Sequence, residues 1–130
     1  MAYRVVLAEE HEWVERPAAE GQQPRRLADL TTSAALNESR ARIWRLPPHA
    51  RGGRHAERVQ EEVFVVLEGT LTMLLGDPPE RFELPPGSVA SAEPGTAIQM
   101  RNESDAEVVV FAYGAPPVAG PADYLDDVDL

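Results

Sequence analysis

At 130 residues, 43% hydrophobic and 26% charged, the chain has the size and balance of one globular domain that closes its core without a disulfide or a structural metal. Cysteine is absent and all twelve basic residues are arginine, which removes thiolate nucleophiles, thiolate metal ligands, lysine Schiff bases and lysine general bases together. A formal net charge of -10 with no arginine-rich, aromatic-interleaved face argues against nucleic acid, and the lack of an apolar run near the ~20 residues of a membrane span, or of a signal-peptide core, leads us to expect a cytoplasmic protein with no membrane partner.

Along the chain, Tyr3 to Leu7 (YRVVL) is short, apolar and β-branched and is expected to form a strand at a sheet edge before the polar run AEEHEWVER. His11 lies among acids there and reads as an ordinary exposed residue. Pro17 to Pro24 has the composition of an exposed connection. Arg25 to Leu36 places Leu27, Leu30 and Ala34 at near-helical spacing, so a short helical turn or an irregular segment is expected.

From Ser39 to Leu46 arginines alternate with apolar residues, the period-2 signal of a strand with one covered face, and Pro47-Pro48 ends it. Arg42 and Arg45 then lie on opposite faces, so at most one can meet an anionic ligand inside; Trp44 reads as core or interface. Further strands are expected at Arg54 to Glu57, Val63 to Leu67, Leu71 to Leu75, Arg81 to Leu84, Val89 to Ala92, Ala97 to Arg101 and Glu107 to Tyr113. Glycine- and proline-containing turns separate them, at Gly69, Gly76 to Pro79, Pro85 to Gly87 and Glu93 to Gly95. Short strands at this spacing imply an all-β, antiparallel sandwich or barrel.

The chain divides accordingly into residues 1–38, an N-terminal strand and connecting segment packing on the barrel or a partner; residues 39–114, the barrel; and residues 115–130, an acidic, proline-containing tail. The tail is expected to lie over the barrel or a partner subunit, with Tyr124 and Leu125 as anchors, or to be disordered.

Residues 40–114 resemble the cupin superfamily through two motifs. The first reads His55-Ala56-Glu57, four residues, Glu62, six residues, Gly69, with Glu57 standing where a second histidine is expected. The second reads Gly87, five residues, Glu93-Pro94-Gly95, two residues, Ile98, three residues, Asn102, with Ile98 in the place of a histidine and Glu93 in the place of a proline. The glycines and the asparagine match; the metal ligands match in part. The resemblance implies a jelly-roll or double-stranded β-helix barrel with an N-terminal extension and an irregular C-terminal tail, a homodimer, and convergence of His55, Glu57, Glu62 and position 98 inside the barrel.

Side chains two apart share a strand face, so His55 and Glu57 point together, and Phe64 and Val66 share parity with Glu62, as Met100 does with Ile98. The expected pocket is therefore His55, Glu57, Glu62, Phe64, Val66, Ile98 and Met100. Two readings stay open. His55, Glu57 and Glu62 are the candidate ligands of a divalent ion (Mn, Fe, Ni or Zn), a neutral and oxygen-rich site favouring Mn²⁺ or Fe²⁺ over tight zinc, as in an oxygenase or isomerase. Without an ion, two close carboxylates cannot both ionise cheaply and one pKa must rise unless Arg or His55 compensates. The aliphatic Ile98 favours a metal-free pocket for a small organic molecule. A barrel that serves only as a sensor or scaffold is the third class, and a solvated rim of carboxylates is the bland account of the cluster.

Overall fold

The structure, a computed structural model, describes residues 2–117 and 120–130. Its elements in chain order are β1 (Trp13–Arg16), β2 (Arg25–Asp29), α1 (Leu30–Ser33), β3 (Arg40–Leu46), β4 (His55–Ala56), β5 (Glu61–Glu68), β6 (Leu71–Leu75), β7 (Glu80–Leu84), β8 (Val89–Ala92), β9 (Ala97–Arg101), β10 (Val108–Ala115) and β11 (Asp123–Tyr124). They form two antiparallel sheets, one ordered β1-β2-β3-β10-β5-β8 and the other β11-β4-β9-β6-β7. This is the all-β barrel that the spacing of turns implies.

Each sheet turns one face inward, and side-chain alternation sorts the residues. On β5 the buried positions are Glu62, Phe64 and Val66; on β3 they include Trp44 and Leu46. Facing them from the second sheet are Leu71, Met73 and Ile98, which join Val108, Val110 and Ala112 of β10 in one core. The turn after β5 depends on Gly69, whose φ is +72 and where a Cβ would meet the Glu107 carbonyl oxygen at 2.6 Å.

Two N-terminal expectations are corrected. Tyr3 to Leu7 is not a strand: those residues pair with nothing among the described residues, and Tyr3 and Val5 are exposed. The sheet begins at Trp13 instead. Arg25 to Leu36 is a strand before it is a helix, because β2 pairs with β3 (Leu27 opposite Trp44) and this burial outweighs the helical spacing of the leucines. Asp29 then caps the single turn of α1, accepting hydrogen bonds from the Thr31 and Thr32 backbone amides. His11 is not simply exposed: it packs edge-on against Trp13 at 5.8 Å, and its Nδ1 is buried without a partner among the described residues.

The C-terminal segment joins the edge of the second sheet through β11 and then runs along its outer face toward Leu130. There β11 pairs with β4, the Leu125 amide donates to the Arg54 carbonyl, and Arg101 donates to the carbonyls of Val128 and Leu130. Asp127 receives Gln99 at 2.9 Å and Arg51 at 2.6 Å. Gln99 and Arg101 are consequently buried although they point away from the barrel interior. No helix among the described residues is long and apolar enough to cross a membrane.

Candidate functional site

A cavity of about 360 Å³ is lined by residues of both sheets, among them Arg42 and Trp44 of β3, Glu62 and Phe64 of β5, and Ile98 and Met100 of β9. Register explains its shape. Across the first sheet, Trp44, Val110 and Val66 form one row, Arg42, Ala112 and Phe64 the next, and Arg40, Gly114 and Glu62 the third. Neighbouring strands are about 4.8 Å apart, so a small residue on the middle strand leaves a gap between the long side chains on either side. Valine fills that gap in the first row and alanine leaves it open in the second, whereas in the third the buried side chain of Gln60 lies over Gly114. Gly114 is required for a second reason: a Cβ there would meet Gln60 at 2.7 Å, and Gln60 is itself buried and donates to the Pro116 carbonyl.

Six of the seven expected pocket residues line this cavity: His55, Glu57, Glu62, Phe64, Ile98 and Met100. Val66 does not. It lies one row deeper, 1% exposed, packed in the core. Ile98 serves both roles, since it pairs with His55 across β4 and β9 and also belongs to the core.

His55 Nδ1 lies 2.9 Å from the Gly53 carbonyl oxygen. A carbonyl only accepts, so Nδ1 is the donor in this contact, and it is Nε2 that faces the cavity wall. That Nε2 is 3.6 Å from Glu57 Oε1. Glu62, 5% exposed, is pushed up to about 7, first by burial and second by the Glu57 carboxylate, while Arg42 and Arg40 oppose the rise. The two-carboxylate conflict expected from the sequence is therefore present, and the arginines offset only part of it.

The three residues also suit a metal in chemistry. Each offers one ligand atom, and these atoms lie within 4.8 Å of one another. The Gly53 contact is the kind of outer hydrogen bond that orients a ligating imidazole. Ile98 closes the fourth corner with hydrocarbon, and the guanidinium groups near Glu62 already supply positive charge. The set fits a three-donor site for a divalent ion.

Sequence reasoning missed most of the cationic lining. Arg42, not Arg45, faces the cavity; Arg45 points outward, 2.6 Å from Glu107 and stacked over Trp13. Arg40 shares the parity of Arg42, a signal available in the alternation of β3. Arg16 and Arg25 also line the cavity, placed there as direct partners across the β1-β2 pair, and no spacing rule revealed that pairing. Trp44 is core, as expected, but its ring also carries two guanidinium groups, Arg25 at 4.5 Å and Arg42 at 5.3 Å. The tail contributes Gly120 to Ala122 and Tyr124, whose ring lies 6.0 Å from that of His55.

Comparison with known proteins agrees with this architecture. Residues 42–113 match the cupin domain family. The chain is similar in structure to a sugar phosphate isomerase of the cupin superfamily from Silicibacter pomeroyi (TM-score 0.79, 22% identity, covering 95% of this chain and 83% of that one). It is also similar to a predicted oxalate decarboxylase from Thermotoga maritima (TM-score 0.73, 19% identity, 86% and 98% covered) and to KdgF from a Halomonas species (0.68, 17%, 87% and 95%). Likeness at these identities speaks to fold alone. No curated protein matches the chain. With more than half of its length matched and both motifs folded into one double-sheet barrel, the chain belongs to the cupin family.

Proposed function

We propose that the chain binds a small organic molecule inside the barrel and does so without a tightly held metal. The observation that carries this reading is the cavity itself. It is large enough for a small metabolite, floored by Phe64, Ile98 and Met100, and walled on one side by His55, Glu57 and Glu62. Hydrocarbon below and hydrogen-bonding groups at one edge are what a polar organic ligand needs for affinity and orientation. Within that wall the His55 imidazole and the Glu62 carboxyl are the groups whose chemistry allows proton exchange with a bound molecule.

A second reading is favoured by one observation, the convergence of three donor atoms within 4.8 Å. In it the chain is a metal-dependent enzyme, and His55, Glu57 and Glu62 would hold a divalent ion that supplies Lewis-acid chemistry.

Thermal-shift screening of sugars, sugar phosphates and short organic acids, with metals chelated, tests the first reading. At least one compound should raise the melting temperature in a saturable way, the stabilisation reaching about 2.7 kcal/mol at a hundredfold excess over Kd. The shift should disappear in Ile98→Phe, which fills the cavity floor, provided that variant still melts cooperatively. A shift that survives Ile98→Phe places the ligand outside the barrel and overturns the reading.

A further inference from the structure

The chain holds twelve arginines, and seven of them, Arg26, Arg45, Arg51, Arg54, Arg58, Arg81 and Arg101, sit in ion pairs with carboxylates. Among the described residues the other five have neither an ion pair nor a side-chain hydrogen bond. One, Arg4, is in the exposed N-terminal segment. The remaining four, Arg16, Arg25, Arg40 and Arg42, all line the barrel cavity. In a protein with a net charge of -10, carboxylates are abundant and surface arginines find them easily. The unpaired cations are concentrated in the one place where a ligand would sit.

Their arrangement is costly for the free protein. Arg16 and Arg25 are direct cross-strand partners, a like-charge juxtaposition that destabilises a sheet. Arg42 is pushed down to about 10 by burial and then by Arg40, and Arg25 is lowered by burial and then by Arg16, so both stay charged at neutral pH under strain. Stacking of Arg25 and Arg42 on Trp44 satisfies the faces of the guanidinium planes and leaves their N–H edges undonated. The four groups come from β1, β2 and β3, which are adjacent, whereas Glu62 stands on β5 beyond the small residues of β10. Four guanidinium charges against Glu57 and Glu62 leave the cavity with a net positive charge.

We propose that the ligand carries an anionic group, a carboxylate or a phosphate, which the cavity arginines bind on the β1-β2-β3 side while its uncharged part faces His55 and Glu62. This rests on the reading that a small molecule occupies the barrel, and adds its chemical class. Planar guanidinium groups fork onto either oxyanion through paired N–H donors, and an anion there removes the mutual repulsion of the arginines.

The test uses the full chain with metals chelated and ionic strength held constant. Inorganic phosphate, succinate and, as the neutral probe, glucose are titrated by calorimetry and thermal shift. Phosphate or succinate should bind and stabilise where glucose does not, and whichever binds identifies the oxyanion. Arg42→Gln and Arg25→Gln should each weaken that binding about tenfold or more, while Arg4→Gln leaves it unchanged. Because the substitutions relieve repulsion, both variants should melt no lower than the parent protein without anion, which separates lost binding from lost folding. The proposal is overturned if neither anion binds, if glucose stabilises as well as the anions, or if both variants bind anion as tightly as the parent. A neutral compound whose binding is abolished by Ile98→Phe would remove the anionic class and leave the ligand reading standing; failure of every compound in the wider screen would remove both.

Discussion

Replacing Glu62 with glutamine should stabilise the chelated protein by roughly 2–3 kcal/mol near pH 8 and change little near pH 5. Glu62 has a folded pKa raised from 4.5 to about 7, by burial first and by Glu57 second. A carboxyl whose pKa is higher in the folded state binds its proton more tightly there. Its favourable contribution is present below about pH 4.5 and is lost as pH rises through about 7. The parent protein should therefore lose stability across that window, and the Glu62→Gln variant should lose less. Urea unfolding at several pH values measures the difference. If the variant is less stable than the parent by the same amount at both ends of the range, Glu62 is held ionised by Arg42 and Arg40, and the description of the acidic wall is wrong.

The second large effect is expected at Asn102, which is 1% exposed. Its Nδ2 is within donating distance of the carbonyls of Leu46, Pro47 and Ala106, at 2.9, 3.1 and 2.8 Å, and its Oδ1 accepts from the Ser104 amide at 3.0 Å and hydroxyl at 2.7 Å. One side chain thus ties the end of β3 to the turn between β9 and β10. Asn102→Ala removes these bonds and leaves buried carbonyls without donors, a loss of roughly 3–4 kcal/mol and a fall in melting temperature of roughly 10–15 °C. Ser104→Ala, which removes only one hydroxyl at the edge of the same knot, should cost under about 1.5 kcal/mol. Equal effects of the two substitutions in thermal melts would show that the amide is not the hub.

Asn102 also illustrates what was legible in the chain. Its place in the second motif came from the resemblance to the cupin superfamily, whereas Gly69 was readable locally, because a left-handed turn leaves a mark in the sequence. So was the parity of Glu62 and Phe64 on β5. Parity does not report depth, however, and Val66, on the same face, proved to be core because the next row of β10 is valine rather than alanine. Leu27 and Leu30 have helical spacing, yet pairing with β3 makes Leu27 a strand residue and confines the helical turn to Leu30–Ser33, a tertiary contact that propensity does not contain. The arginine wall was invisible for a related reason. Arg16 and Arg25 belong to different strands whose register no local motif announces, and only the fold brings both to the cavity, Arg25 over Trp44. Tyr124 reaches His55 across almost seventy residues of chain, a contact that no motif spacing encodes.

Metal content tests the central claim, a barrel that works without a tightly bound ion, most directly. Protein purified without an affinity tag should contain far less than one equivalent of Mn, Fe, Ni or Zn, and titration with Mn²⁺, Fe²⁺ and Zn²⁺ should show no micromolar binding. Stoichiometric metal in the parent protein that disappears in His55→Ala would contradict the account and make His55, Glu57 and Glu62 a metal centre.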